Sequence, residues 1–508
     1  MKIDRHPAIL RAPQITDTAR LVRRMKFIVK LFPEITIKTK PVRQLMTKSL
    51  AQNLRNVLRP ICAEVKVVNT WDAISVRTPE ETAEVVNEAV AQALECVPGI
   101  SQVQAVKEFP LTDFDAMVAA TLEVWGDALA GKTFCVRCKR IGDHDFTSID
   151  VERYVGGGLN QQSDAAGVRL KNPELEIRLE IKHNRFYVIE NKRPGLGGYP
   201  LGTQESVLTL VSGGFDSTVA AFQMLRRGVK NHFLFFNLGG AAHENGVKEV
   251  TYYLWKKYGA SHKTHFISVP FEGVVEEILT QVEDRYMGVV LKRMMMRAAE
   301  RIAEEQNIPA LVTGECLAQV SSQTMPNLNL IDEVTDRLVI RPLIVTDKPE
   351  IIDQARALGT ASFAERMPEY CGVISRKPNA ACKRPALLEA EAAFDSAVLE
   401  AAIAERRIEN VDQLTWTDQE SLNETLPTSA AADAVVIDVR HPSEAEGEPL
   451  ELSGHEVVQI PFYSLNRRFA ELDVNKQYLL YCDKGVMSKL HALHLQDAGF
   501  RNVGVYRA

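Results

Sequence analysis

The chain has 508 residues, 45% of them apolar, and a net charge of −6 from 60 basic and 66 acidic residues. That length implies about three or four domains, each with enough apolar material for a packed core. Eight cysteines in such a length exclude a disulfide scaffold, no apolar run reaches the ~18 residues of a membrane span, and a nucleic-acid partner must be met by a local basic face. Residues 1–24 are basic and lack the apolar stretch of a signal peptide, so the chain reads as cytoplasmic. They read as an N-terminal extension detached from the fold, with a short helix over 14–24 as the alternative and Met25 as a candidate natural start.

From Met25, Lys-Phe-Ile-Val-Lys-Leu reads as the first strand. A helix around Lys48–Leu58 and strands at Val65-Lys-Val-Val and Ala73-Ile-Ser-Val follow. This alternation predicts a small ferredoxin-like α+β unit over 25–80. The next unit, 81–192, takes in a helix from Pro79 to Leu94, a strand around Val103, a helix over Phe114–Leu129 and a strand at Thr133–Arg140. Gly156-Gly157-Gly158 reads as a turn and Pro194–Pro200 as a linker. Strand–helix alternation over 205–385 predicts a doubly wound parallel sheet in a domain spanning 193–400. An Ala/Glu-rich helix over about 386–406, a polar linker over 401–428 and a second small strand–helix unit over 429–508 complete a multidomain α/β chain.

The richest motif is Ser212-Gly213-Gly214-Phe215-Asp216-Ser217, placed between the β-rich run ending Leu210-Val211 and a helix-patterned run. Glycines there let backbone approach a phosphate, and the helix N-terminus supplies oriented N–H donors. A Walker lysine is absent, so the pattern is not G-x-x-x-x-G-K-[ST]. Asp216 is placed to handle Mg²⁺ and Ser212 and Ser217 to donate to phosphate. The loop resembles the SGG-x-DS loop of ATP pyrophosphatases, which cleave ATP between the α and β phosphates. Two further strands end in loop chemistry, Asn237-Leu-Gly-Gly-Ala-Ala-His243 and Gly314-Glu315 followed by Ala318-Gln-Val-Ser-Ser-Gln323. With the hexapeptide they outline one nucleotide crevice, Leu210, Val211, Gly314 and Gln323 included. Lys292, on a helix with Met294-Met-Met as core, is within reach of phosphate.

Downstream, Glu369-Tyr-Cys371-Gly-Val-Ile-Ser and Tyr481-Cys482-Asp-Lys-Gly-Val-Met-Ser488 complete a set that resembles the tRNA 4-thiouridine synthetase, or tRNA sulfurtransferase, family from Met25 to the C-terminus. The resemblance implies a ferredoxin-like domain, a THUMP RNA-binding domain, an ATP-pyrophosphatase domain and a C-terminal rhodanese-like domain. It implies sulfur transfer to the uridine at position eight of tRNA, and in some bacteria to the thiazole of thiamin through a sulfur carrier protein. Cys482 matches the persulfide carrier, Cys371 its disulfide partner, and Asp216 the Mg²⁺–ATP site. The strand–loop–helix around Cys482 presents N–H groups to the sulfur, which suits a thiolate nucleophile. Ala434-Val-Val-Ile-Asp438-Val-Arg440 resembles the opening strand of the rhodanese fold. The implied partners are tRNA, a cysteine desulfurase as sulfur donor and a cellular reductant. The resemblance leaves open whether bound persulfide or released hydrosulfide attacks uridine, and the oligomeric state, with a homodimer among the options.

Chemistry supports the same reaction, because the uracil C4 oxygen is a poor leaving group until ATP adenylates it. Arg137, Lys139, Arg140, His144, Phe146 and Arg153 cluster as a basic and aromatic patch suited to RNA, or a solvated strand edge. Cys135 and Cys138 form a C-x-x-C without a second pair at zinc spacing, and alternate as a strand does. Cys316 reads as a buried filler, and Cys382 is an alternative resolving thiol.

Overall fold

The computed structural model describes residues 24–69, 73–238, 240–367, 378–415, 434–440, 442–452, 454–482, 488, 491–492, 495–496 and 499–506. They divide into two compact units, one up to Thr203 with Arg226–Gly228, the other Gln204–Leu225 and Val229 onward.

The first unit holds one eight-stranded sheet. Its strands are β1 (Lys26–Leu31), β2 (Lys66–Asn69), β3 (Ala73–Arg77), β4 (Ile100–Pro110), β5 (Thr133–Ile141), β6 (Gly167–Val168), β7 (Leu175–Lys182) and β8 (Arg185–Gly197), ordered β2-β3-β1-β4-β8-β7-β5-β6. Helices Lys40–Leu58 and Glu84–Glu95 pack Leu50, Leu54, Val90 and Leu94 onto β1, β3 and the start of β4. The ferredoxin-like core therefore runs past residue 80, where the sequence reading ends it: alternating strands and helices share one core up to Ala105. Helices Phe114–Leu129 and Ser148–Gln162 cover β5, β7 and β8 through Met117, Val118, Val151 and Val155.

Two expected breaks are continuous elements. Gly156-Gly157-Gly158 lies inside the helix Ser148–Gln162. A Cβ on Gly158 would stand 2.7 Å from Val118 Cγ2, so glycine here permits close helix packing and makes no turn. Pro194–Gly197 is the end of β8, paired with Gln102 and Ile100 of β4, because ladder pairing outweighs local turn preference.

The second unit contains a six-stranded sheet of β9 (Val207–Leu210), β10 (Asn231–Asn237), β11 (His265–Pro270), β12 (Ala310–Val312), β13 (Leu338–Ile340) and β14 (Arg407–Asn410), ordered β13-β12-β9-β10-β11-β14. Neighbours from β9 to β13 pair in parallel, as a doubly wound fold requires. β14 adds antiparallel to β11. The stretch read as one helix over 386–406 is two, Arg384–Glu391 and Ser396–Ala404, and β14 follows within the expected linker. Arg-Ile-Glu-Asn carries no strand pattern of its own; pairing with β11 makes it one.

A four-stranded parallel sheet closes the chain, with β15 (Val435–Asp438), β16 (Val457–Gln459), β17 (Tyr478–Tyr481) and β18 (Val503–Val505) in the order β16-β15-β17-β18.

Candidate nucleotide site, sulfur loop and RNA face

β9 lies between β12 and β10, so chain connections leave it in opposite directions. Its carboxyl end is the switch point where open α/β sheets bind ligands. Leu210 and Val211 deliver the chain there, with the Val211 N–H donating to Leu234 O at 2.8 Å. Gly213, at φ +80°, turns it into the helix Phe215–Arg226. Ser217 Oγ accepts the Ser212 N–H at 3.2 Å and lies 3.3 Å from Ser212 Oγ. Thr218 Oγ1 donates to Gly214 O at 2.9 Å. Behind the loop, buried His243 donates to the Ser212 backbone; burial holds its pKa down at about 4, so the ring is neutral. Gly314 passes so close that a Cβ there would lie 2.6 Å from the Ser217 nitrogen.

Charge is concentrated on this loop. The Asp216 carboxylate accepts Lys348 Nζ at 2.8 Å on each oxygen and Gln319 Nε2 at 3.1 Å. Lys348 opens the helix Lys348–Leu358, where the helix dipole disfavours a cation unless an anion faces it. Lys292 Nζ lies 3.8 Å from Glu315. Glu315 also accepts Arg341 Nε at 2.9 Å and Thr313 Oγ1 at 3.0 Å. Burial pushes the Glu315 carboxyl up, but Lys292 and Arg341 outweigh it and hold the group below the usual carboxylate range. Gln323 shares the 318–323 loop with Gln319, and its Oε1 is buried without a partner.

Asp216, Ser217 and Gly314 thus meet directly, and Lys292 joins them through Glu315, next in sequence to Gly314. Sequence reasoning missed Lys348 and Arg341. The one local signal for Lys348 is a cation at the start of a Pro-initiated helix. Two lysines, the backbone N–H groups of a helix start and a carboxylate with exchangeable partners form a donor set that fits a Mg²⁺–triphosphate.

In the C-terminal sheet, Cys482 follows β17 directly. Its Sγ accepts the Ser488 N–H at 3.3 Å and lies 3.5 Å from the Ser488 hydroxyl. Asp438, the last residue of the adjacent strand β15, and Arg440, two residues beyond it, form a buried pair, with Arg440 Nη2 2.7 Å from Asp438 Oδ2 and donating to Glu448 O at 2.9 Å. The same guanidinium stacks 5.2 Å from the Tyr481 ring, which fixes the residue before Cys482. Cys371 lies outside the described residues. Cys382 is buried, and burial pushes its thiol up. Cys316 is buried too, and its thiol is likewise pushed up by burial.

On β5 and the loop after it, Arg140 donates to His144 Nδ1 at 3.0 Å and lies 5.9 Å from the Phe146 ring. Phe146 packs on Phe114 at 5.2 Å. Lys139 is exposed. Arg137 is spent on Leu170 O at 3.0 Å and Glu152 at 3.9 Å. The structure gathers Arg140, His144 and Phe146 and turns Arg137 to the protein. Cys138 donates its backbone N–H to Glu152 at 2.9 Å, and burial pushes its thiol up to about 12. Burial raises Cys135 as well.

Residues 202–395 match the family model described as thiamine biosynthesis protein (ThiI), 26–103 the ThiI ferredoxin-like domain, 112–189 the THUMP domain and 420–508 the rhodanese-like domain. A tRNA sulfurtransferase of Pseudomonas aeruginosa (strain UCBPP-PA14) is 57% identical over 95% of this chain and 100% of its own length. The chain belongs to the tRNA sulfurtransferase family. A Shewanella loihica member is 53% identical over 95% of this chain and 100% of its own length. A solved 4-thiouridine synthetase–RNA complex with bound ATP, 25% identical, superposes with a TM-score of 0.67 over 76% of this chain and 99% of that one. PH1313 from Pyrococcus horikoshii Ot3, 19% identical, shares the fold with a TM-score of 0.52 over 66% of this chain and 99% of that one. Within this enzyme family the loop at Ser212–Ser217, Cys482 and the β5 patch fall in three different matched domains.

Proposed function

We propose that this protein uses ATP to replace the C4 oxygen of uridine at position eight of tRNA with sulfur. The observation that carries this reading is the Asp216 carboxylate, set on a glycine loop at the switch point and held by Lys348 and Gln319, both of which a Mg²⁺–ATP can displace. The uracil O4 attacks the α-phosphorus and pyrophosphate leaves. Lys348, Lys292 and the N–H groups of Gly213–Ser217 take the charge that moves onto it. Mg²⁺, held at Asp216, would neutralise phosphate charge.

Sulfur then attacks C4 and AMP leaves with the bonding pair. Sulfane sulfur from a cysteine desulfurase rides on Cys482 as a persulfide. The Ser488 N–H at 3.3 Å is placed to stabilise negative sulfur there. The Cys371 thiolate attacks the Cys482 Sγ and expels the outer sulfur, which leaves either already bonded to C4, as 4-thiouridine, or as hydrosulfide that then attacks C4; the Cys371–Cys482 disulfide that remains is reset by a two-electron cellular reductant. Arg140, Lys139, His144 and Phe146 contribute phosphate contact and stacking for tRNA, in the cytoplasm. No described helix is long and apolar enough to cross a membrane. The match of 202–395 to a thiamine biosynthesis model supports a second outlet for Cys482 sulfur, a carrier protein for thiazole synthesis.

The test incubates protein with tRNA, α-labelled ATP and a persulfide donor, and reads AMP together with tRNA nucleosides by mass spectrometry. Equal AMP and 4-thiouridine, lost when position eight is not uridine, is the expected result. AMP and pyrophosphate release with unmodified tRNA would overturn the reading.

A further inference from the structure

We propose that Glu315 is a positioning residue that aims Lys292 at the departing pyrophosphate, with Arg341 holding the Glu315 charge in place so that Lys292 can turn to phosphate. This rests on the reading that Lys292 takes up charge at the nucleotide loop.

Glu315 follows β12 and is 5% exposed. Its two oxygens have different partners. Oε2 accepts Arg341 Nε at 2.9 Å and the Thr313 hydroxyl at 3.0 Å. Oε1 faces Lys292 Nζ at 3.8 Å, longer than a hydrogen bond. Arg341 is fixed in turn, with Nη1 and Nη2 donating to the two Asp332 oxygens at 2.8 and 2.6 Å. That is the two-pronged geometry by which a guanidinium grips a carboxylate. A buried carboxylate needs a cation, and Arg341 meets that need through a hydrogen bond. Lys292 is a second cation on the same anion, drawn by charge, and its side chain is 27% exposed against 10% for Arg341.

Glu315 is also placed firmly against the nucleotide loop. Gly314, its neighbour in the chain, sits so close to that loop that a Cβ there would lie 2.6 Å from the Asp216 carbonyl carbon. Lys292 comes from a different element, the helix Met287–Glu305. A lysine ammonium rides on a flexible four-carbon stem, so the helix alone does not aim it. The Glu315 charge narrows its rotamers toward the loop, and the Arg341–Asp332 clamp keeps that charge in place when Lys292 swings to phosphate. Charge already in position counts most at the moment pyrophosphate leaves. Without the Glu315 charge the ammonium wanders, and the chemical step slows while the other nucleotide contacts persist. Without Arg341 the buried carboxylate loses its hydrogen-bonded cation, and ATP must compete with it for Lys292.

The experiment follows single-turnover pyrophosphate release by the full chain on limiting tRNA, with ATP varied to give the maximal rate and the half-saturating ATP concentration. Lys292→Ala should lower the maximal rate about 10²-fold, the scale of removing one preorganised donor. Glu315→Gln keeps the shape and an acceptor for Arg341 but not the charge. It should lower the maximal rate about tenfold and leave half-saturating ATP within about twofold of wild type. Glu315→Asp should recover most of that loss. In the Lys292→Ala background Glu315→Gln should have no further effect, because a residue that acts through another is silent once that one is gone. Arg341→Met should raise half-saturating ATP about tenfold, and Arg341→Lys, which keeps the cation but not the fork, should raise it less. A merely structural Glu315 would slow the reaction equally with and without Lys292. That additive result overturns the inference, and so does a wild-type rate in Glu315→Gln. If Glu315→Gln does not fold, Arg341→Lys decides the matter: a raised half-saturating ATP supports the inference and a wild-type value overturns it. A wild-type rate in Lys292→Ala would remove the underlying reading. A slow Lys292→Ala beside an unaffected Glu315→Gln would remove only the role of Glu315.

Discussion

Asp216 and Glu244 are two carboxylates of the same sheet domain, both ion-paired, with opposite surroundings. Asp216 is 24% exposed, and its partners are Lys348, the first residue of a helix and itself 38% exposed, and Gln319, from an exposed loop. Glu244 is 6% exposed and bonded to Lys248, Arg407, Ser268 and Asn237. Those partners come from its own helix, β14, β11 and β10, so no ligand can replace them without opening the sheet edge. Having partners does not separate a functional charge from a structural one; whether those partners can be exchanged does. A buried ion pair costs desolvation and repays it only when complete, whereas a half-open one holds its charge ready for something else.

Two substitutions try to break this contrast. Asp216→Ala should lower thiolation at least about 10³-fold, the scale of losing preorganised charge at a transition state. Its thermal midpoint and tRNA affinity should stay near wild type. Substantial thiolation by folded Asp216→Ala would refute its assignment. Glu244→Ala should do the reverse. It leaves Lys248 with Glu409 as its remaining anion and Arg407 exposed, and removes the hydrogen bonds to Ser268 and Asn237, so it should cost about 1–3 kcal/mol of stability by denaturant titration. The protein that remains folded should bind ATP with unchanged affinity. Full stability with lost ATP binding would exchange the two roles.

The same contrast explains what the sequence disclosed. Ser212–Ser217 was legible because strand, glycines, acid and helix start are adjacent, and each role is local. Lys348 was not, since it lies 132 residues from Asp216 and meets it only once the sheet is assembled. β14 was hidden for the same reason: its four residues become a strand through β11 and through the Glu244 and Lys248 pairs. Gly156–Gly158 misled because glycine marks both turns and close helix contacts, and only Val118 across the interface tells which. The ferredoxin-like and parallel-sheet folds were readable from periodicity, which depends on neighbours in sequence. Cys371 was readable as a motif, while its surroundings lie outside the described residues.

Protonation sharpens the comparison at intermediate size. His232 is buried at the start of β10, and burial, then Lys230 and His265, hold its pKa down at about 4. His243, behind the nucleotide loop, is held at about 4 by burial, against the opposing hydrogen bond to the Ser212 backbone. Both folded values lie below the ordinary 6.5, so the unfolded chain binds more protons between pH 6.5 and 4. The stability these rings contribute is complete above pH 6.5 and is lost as pH falls toward 4. Chemical denaturation at stepped pH should show a decline of a few kcal/mol across that window. His232→Asn should flatten part of it without changing thiolation at pH 7.5. A slope unaltered in that variant would mean that other groups carry the acid sensitivity.

The smallest effects are expected where burial holds a thiol protonated. Cys135 and Cys138 sit on β5 with thiols raised by burial, Cys138 to about 12, so neither offers a thiolate near neutral pH. Cys482, half-buried at the end of β17, instead receives the Ser488 N–H on its sulfur. A thiol reagent at neutral pH should label Cys482 faster than the half-buried Cys138, and buried Cys135 only when the protein unfolds. Cys138→Ser should cost no more than about 1 kcal/mol, and the fully buried Cys135→Ser about 1–3 kcal/mol for a hydroxyl placed among apolar neighbours. Thiolation per folded molecule should not change in either. Cys482→Ser should abolish it, because a hydroxyl cannot carry sulfane sulfur. Stoichiometric zinc in the purified protein, lost on either β5 substitution, would move Cys135 and Cys138 out of the class that burial holds protonated. Labelling of Cys138 as fast as Cys482 in the folded state would do the same. In either case it is exchangeability, and not burial alone, that would have to be reassigned on this strand.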